Sequence, residues 1–138
     1  MRKVFISSIV NDFEEYRQAA KRAVEIMGDK PIMSEDFGAR PYSPGKTCVT
    51  EVETSDVYIV ILGEKYGFVT PEGISVTQAE YRGAKGLGKP ILAFIKKCEM
   101  EAKQGRFRQE VEEYQEGLFR GTFSSPEELK EEIIKSLR

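Results

Sequence analysis

Apolar residues along this chain recur with two periods, and the alternation of those periods predicts the fold. Lys3-Val-Phe-Ile-Ser-Ser8 is a short apolar run that reads as a first strand. Asn11 and Asp12 then stand ahead of Glu14 and Glu15 in capping-box spacing, and Phe13, Tyr16, Ala20, Ala23, Val24 and Met27 mark one helical face up to Gly28, which is placed to end the helix. Lys30-Pro-Ile-Met33 predicts a second strand, and Ser34 to Ser43 reads as irregular. Ser43-Pro44 supplies a serine cap with proline at the first helical position, starting a helix through Cys48, Val49 and Val52 to about Thr54. Asp56-Val-Tyr-Ile-Val-Ile-Leu-Gly63 is apolar on both faces and rich in β-branched residues, the pattern of a central parallel strand covered above and below.

The rhythm continues. After Glu64-Lys-Tyr-Gly-Phe68 and a turn at Pro71-Glu-Gly73, a capped helix opens at Ser75, and Pro90 to Ile95 predicts a further buried strand. Cys98 to Gln115 is charged and helical, with Arg106 to Glu113 reading as a solvated face. Gly117 to Phe123 offers a last strand, and Ser125-Pro126 caps a closing helix whose Leu129, Ile133, Ile134 and Leu137 face inward. Strands and helices that alternate through short connections predict an α/β domain with a three-layer, open parallel sheet of about five strands, flavodoxin-like or Rossmann-like. At 138 residues, one domain over 1–138 is expected.

The helix that opens at Ser75 carries an anomaly. Counting from Val76 at helical spacing, the inward stripe is Val76, Ala79, Glu80, Gly83, Ala84 and Leu87, so a carboxylate interrupts a small, apolar surface. Its neighbours three and four residues away are Val76, Thr77, Gly83 and Ala84, none of which can pair with a negative charge. Removing an unpaired carboxylate from water costs several kcal/mol, a sizeable share of a total stability of ~5–15 kcal/mol. Glu80 therefore either reaches water or a basic residue at the edge of the stripe, or is a working carboxylate in a crevice, as nucleophile, general base or stabiliser of a cationic transition state.

Composition narrows the chemistry. The sequence has no histidine, which removes Ser/His/Asp and Cys/His nucleophile systems and every imidazole zinc site. Two cysteines, Cys48 and Cys98, make no disulfide framework, so a reduced, cytoplasmic setting is expected. The formal net charge of −2 gives nucleic acid no electrostatic footing, and the apolar runs are far shorter than the ~20 residues of a membrane span. No Walker, dinucleotide-glycine or EF-hand pattern appears. No metal or bound cofactor is expected.

Open parallel sheets bind ligands outside the carboxyl ends of their strands, where strand order reverses. That rule collects Ser7 and Ser8 from the first strand and Glu35 and Asp36 from the second. Gly63, Tyr66 and Gly67 follow the central strand, and Ser75 and Glu80 lie on the helix. Each has a plainer reading: the serines finish strand-end hydrogen bonds, the glycines make turns, and Tyr66 plugs the core edge.

Three stretches carry a resemblance: KVFISSIVNDFEEYRQAAKRAVE, DVYIVILGEKYGFV and SVTQAEYRGAKGLGKPILAFIKK. They resemble the TIR-like domain of unknown function four-zero-six-two, a distant relative of nucleoside 2-deoxyribosyltransferases and TIR domains. That family shows Ser-Ser-Thr-Phe followed by Asp-Leu, Gly-x-x-Tyr-Gly, Ser-x-Thr-x-x-Glu and Gly-Lys-Pro. Here these stand as Ser7-Ser8-Ile9-Val10 with Asp12-Phe13, Gly63 to Gly67, Ser75 to Glu80, and Gly88-Lys89-Pro90, with Ile9-Val10 as the departure. The resemblance implies a nucleoside deoxyribosyltransferase-like fold and assigns Glu80 to the glutamate that meets the anomeric carbon of a nucleoside, nucleotide or NAD. It implies that Ser7, Ser8 and Ser75 hold hydroxyls or phosphate, that Asp36 binds sugar and that Tyr66 stacks on the base, with NAD entering only as a substrate. It also implies partners of two kinds, a small nucleoside or nucleotide and further copies of the chain. The alternative it leaves open is a non-catalytic signalling or interaction module.

Overall fold

The computed structural model describes residues 1–34, 50–115 and 120–138. The elements are β1 (Lys3–Ser7), α1 (Glu14–Ile26), β2 (Lys30–Ile32), helical residues 50–54 (α2), β3 (Val57–Leu62), α3 (Val76–Gly86), β4 (Ile91–Lys96), α4 (Ala102–Gln115), β5 (Arg120–Phe123) and α5 (Pro126–Leu137). The strands pair in parallel in the order β2-β1-β3-β4-β5. This is the flavodoxin-like order, whose direction of winding reverses between β1 and β3. β3 lies at the middle of the sheet, and all six of its residues are buried.

Strand alternation divides the interior into two cores. Val4, Ile6, Val57, Ile59, Ile61 and Phe94 point toward α1 and α5, where they meet Ala20, Ala23, Val24, Leu129, Ile133 and Leu137. Phe5, Tyr58, Val60, Leu62, Ala93 and Ile95 point the other way, onto Val52, Tyr81, Ala84, Phe107 and Val111. The result is three layers, as the sequence pattern predicts.

Three expectations are corrected in detail. Helix α1 starts at Phe13, whose side chain makes no capping bond, and not on an Asn11/Asp12 box. Asp12 instead adopts φ 61° and pairs with Lys65 at 3.0 Å. Burial of the Phe13 ring fixes the helix start: a Cβ on Gly63 would stand 2.7 Å from its Cε1, so the two residues meet without a side chain between them. The buried face of α3 is Thr77, Gln78, Glu80, Tyr81 and Ala84, whereas Val76 and Leu87 are exposed. Tyr81 offers more apolar surface than either, so the helix turns to place its ring among Tyr58, Phe107 and Tyr114. The charged helix α4 is also less solvated than its composition suggests, since Gln104, Phe107 and Val111 are buried. The irregular stretch and the helix start at Ser43-Pro44 lie outside the described residues.

Candidate functional site

The chain reversal between β1 and β3 leaves a crevice at their carboxyl ends, about 680 Å³ in volume. Its walls come from the segment after β1, the segment after β3 and the start of α3. β1 ends at Ser7 and Ser8 follows it directly, and the two side chains go to opposite layers. Ser7, fully buried, donates from Oγ to Glu80 Oε1 at 2.7 Å. Ser8 turns toward α1, where Arg17 Nη1 donates to its Oγ at 2.6 Å and to its carbonyl at 3.2 Å. The Ser8 hydroxyl in turn donates to the Ile9 carbonyl at 2.9 Å.

Helix α3 is fixed at its N-terminus by an elaborated capping box. Ser75 Oγ accepts from Gln78 N–H at 3.0 Å, as the Ser-x-x-Gln spacing predicts. The return half of the box runs through a tyrosine: Ser75 N–H donates to Tyr66 Oη at 3.0 Å, and that hydroxyl donates to Gln78 Oε1. Gln78 Nε2 continues to Glu110 Oε1 at 2.9 Å, where Arg82 also binds. The Arg82 guanidinium, bonded to the Glu110 carboxyl, holds it below the usual carboxylate range. Glu80, on the second turn of this anchored helix, is 8 % exposed and lines the crevice.

Of the residues singled out in the sequence, Ser8, Tyr66, Gly67, Ser75 and Glu80 line the crevice. Ser7 lies behind Glu80 as its hydrogen-bond donor. Gly63 faces Phe13 instead, and its carbonyl accepts from Gln104 Nε2 at 3.0 Å. The Tyr66 ring is buried and its hydroxyl serves the helix cap. Gly67 has φ +86°, and a Cβ there would stand 2.6 Å from Ile9 Cγ2, so the turn presses directly on the position where the chain departs from the family pattern. Glu35 and Asp36 lie outside the described residues. Sequence reasoning missed Arg17, although it falls four residues after Phe13 and three before Ala20 on the buried face of α1. It also missed Thr77 and Phe68, which line the same crevice. Among the described residues no group of acidic or sulfur side chains is arranged to hold a metal ion, and no helix is long and apolar enough to cross a membrane.

A parallel sheet wound in this order defines a flavodoxin-like α/β domain, a fold like that of TIR domains. The sequence profile of the family described as Domain of unknown function (DUF4062) matches residues 3–138, and the chain belongs to that family. Among solved structures it is similar to the Clostridium botulinum CMP N-glycosidase BcmB, with a TM-score of 0.58 and 17% identity, covering 99% of this chain and 97% of that one. It is similar to the TIR domains of the RPS4 and RRS1 heterodimer, with a TM-score of 0.61, 12% identity and coverage of 99% and 96%. The TIR domains of the activated Roq1 resistosome, which recognises the pathogen effector XopQ, align with a TM-score of 0.60, 12% identity and coverage of 99% and 83%. No curated protein sequence matches the chain significantly.

Proposed function

We propose that this domain binds a nucleoside, nucleotide or NAD and cleaves its N-glycosidic bond, with Glu80 as the carboxylate that meets the anomeric carbon. The observation that carries this reading is the Glu80 carboxylate itself, buried to 8 % exposure, oriented by Ser7 and forming part of the wall of an open crevice. Asp12 and Glu101 line the same crevice, but Asp12 is bonded to Lys65 at the surface and Glu101 accepts from Tyr66 N–H, whereas Glu80 is buried on the helix at the switch point. The solved N-glycosidase of similar fold acts on CMP, which makes that compound a natural first substrate to try.

The chemistry needs little else. As the bond from C1′ to the base nitrogen breaks, its electron pair leaves with the base and positive charge develops on the sugar. Glu80 stabilises that charge or adds to C1′ as a glycosyl ester. One water then completes hydrolysis: its oxygen bonds to C1′, displacing Glu80 where an ester has formed, and its proton passes to the departed anionic base of a nucleoside or nucleotide, or to solvent when neutral nicotinamide has left NAD. Ser7 acts behind the carboxylate by holding one oxygen in place. Asp36 is assigned to the sugar. Gly67, Ser75 and the segment at Ser8 shape the wall. The proposed setting is the cytoplasm, where these substrates are abundant.

The second reading, a TIR-type assembly module, draws on the heterodimer and resistosome contexts of the two TIR neighbours. One assay separates them. Purified protein and its Glu80→Gln variant are incubated with CMP, NAD and a panel of nucleosides and deoxynucleosides, and free base is followed by chromatography and mass spectrometry. Release by the wild type and not by the variant is the expected result. Equal release by both removes Glu80 from the mechanism, and silence from both favours the assembly module.

A further inference from the structure

Eight large apolar side chains are conspicuously exposed among the described residues, and three of them, Val10, Phe68 and Val76, line the Glu80 crevice. Scattered exposed apolar residues need no explanation, but a cluster around one cavity does. Phe68 stands out at 77 % exposed, more than any of the others except the terminal Met1. It joins none of the ring contacts that tie the aromatic core together among the described residues.

Its backbone, by contrast, is firmly held. The Phe68 carbonyl accepts from Val76 N–H at 3.1 Å, at the first residue of α3. Immediately beyond, Val69 and Ser75 form an antiparallel bridge, and Thr70 N–H donates to the Ile74 carbonyl at 2.8 Å, closing a small hairpin. On the other side, Gly67 takes φ +86° against Ile9, a conformation that turns the chain sharply just before the ring. Phe68 is therefore a solvent-facing ring on a backbone segment tied to the helix that carries Glu80. The Tyr66 ring, two residues earlier, is buried and its hydroxyl occupied by the cap.

We infer that Phe68, and not Tyr66, is the aromatic face on which the base of the bound nucleoside or nucleotide stacks, with Val10 and Val76 completing an apolar rim. The inference rests on the glycosidic reading above and names its base-binding element. Stacking on a π-face is tolerant of base identity, so Phe68 sets affinity for bases in general and leaves discrimination among them to other groups.

The experiment compares Phe68→Ala, Phe68→Leu and Phe68→Trp with the wild type on CMP, deoxycytidine and NAD, measuring kcat and KM. Size-exclusion chromatography and thermal melting of each variant accompany the kinetics. Loss of the ring is expected to raise KM roughly five- to 150-fold with kcat little changed. Tryptophan restores the wild-type value, leucine does not, and the melting temperature stays put because the side chain is exposed. An unchanged KM in Phe68→Ala, or a Phe68→Leu variant equal to wild type, overturns the stacking role while leaving the glycosidase standing. A fall in oligomeric state with KM unchanged assigns the rim to a second copy of the chain and overturns it as well. If the wild type releases base from none of these compounds nor from any member of the wider nucleoside and deoxynucleoside panel, the glycosidic reading fails and this inference fails with it.

Discussion

Arg17 and Glu80 lie beneath the same edge of the sheet on opposite sides of β1, each held by one of two consecutive serines. Both are buried and both carry ionisable groups, yet their surroundings differ. Arg17 is 2 % exposed, reaches both the carbonyl and the hydroxyl of Ser8, and is not among the residues that line the crevice. It locks the backbone where β1 gives way to the crevice wall. Glu80 has Ser7 behind it and the crevice in front. A buried ionic group therefore indicates function only when an accessible space adjoins it, and burial alone separates the two residues poorly.

Substitutions should pull the pair apart. The largest effect expected is on turnover in Glu80→Gln, a fall of about 10³-fold or more, near 4 kcal/mol in the barrier. The same variant should unfold in urea within about 1 kcal/mol of the wild type, because a carboxamide can still accept from Ser7. Arg17→Met should behave the other way. Removing the guanidinium leaves the Ser8 carbonyl and hydroxyl short of a donor inside the core, and about 3 kcal/mol of unfolding free energy should be lost. Urea titrations of both variants check the contrast directly. A Glu80→Gln protein as destabilised as Arg17→Met would reduce Glu80 to a structural role.

Ser7 tests the link between position and chemistry. Ser7→Ala removes the donor to Glu80 Oε1 without touching the crevice wall, so kcat should fall about tenfold while KM holds. Ser7→Thr, which keeps the hydroxyl, should recover most of the loss. A matched change in KM would place Ser7 in ligand binding instead.

How much of this could be read in the sequence depends on what each feature rests upon. The open parallel sheet of about five strands and the central place of β3 followed from apolar runs and short connections, whereas the strand order itself, left between flavodoxin-like and Rossmann-like winding, depends on which strands pair in space. Glu80 was visible as a charge in an apolar stripe, although the stripe was set one position off: Tyr81 anchors the helix, and periodicity weighs residues by spacing and not by size. Ser75 announced its cap, whereas the Tyr66 hydroxyl that completes the box with Gln78 comes from another segment and leaves no local spacing to detect. Arg17 escaped for the opposite reason. It occupies a correct inward position, but a charged residue there is ordinarily discounted, and its partner Ser8 becomes apparent only when β1 and α1 are packed together. Gly63, open in the sequence between a turn glycine and a ligand contact, stands against Phe13, a neighbour that cannot be inferred from the glycine itself.

The smallest effect concerns the outer end of the support for α3. Glu110 binds Arg82 and Gln78, and through Gln78 it joins the Tyr66 and Ser75 cap that anchors the helix of Glu80. Its carboxyl is held low chiefly by the hydrogen bond from Arg82, so the folded state binds a proton at Glu110 less readily than the unfolded chain does. The resulting stabilisation is complete above the unfolded carboxylate value of about 4.3 and disappears as pH falls below it through the lowered folded value. Because Arg82 is half exposed, water and salt screen the pair, and its contribution at neutral pH should be no more than about 1 kcal/mol. Urea unfolding of wild type and Glu110→Gln should therefore differ by that amount at pH 7 and converge as pH falls through the acid range. A difference that persists at the lowest pH would mean that Glu110 supports the helix by packing and neutral hydrogen bonding, and that its charge contributes nothing to holding Glu80 in place.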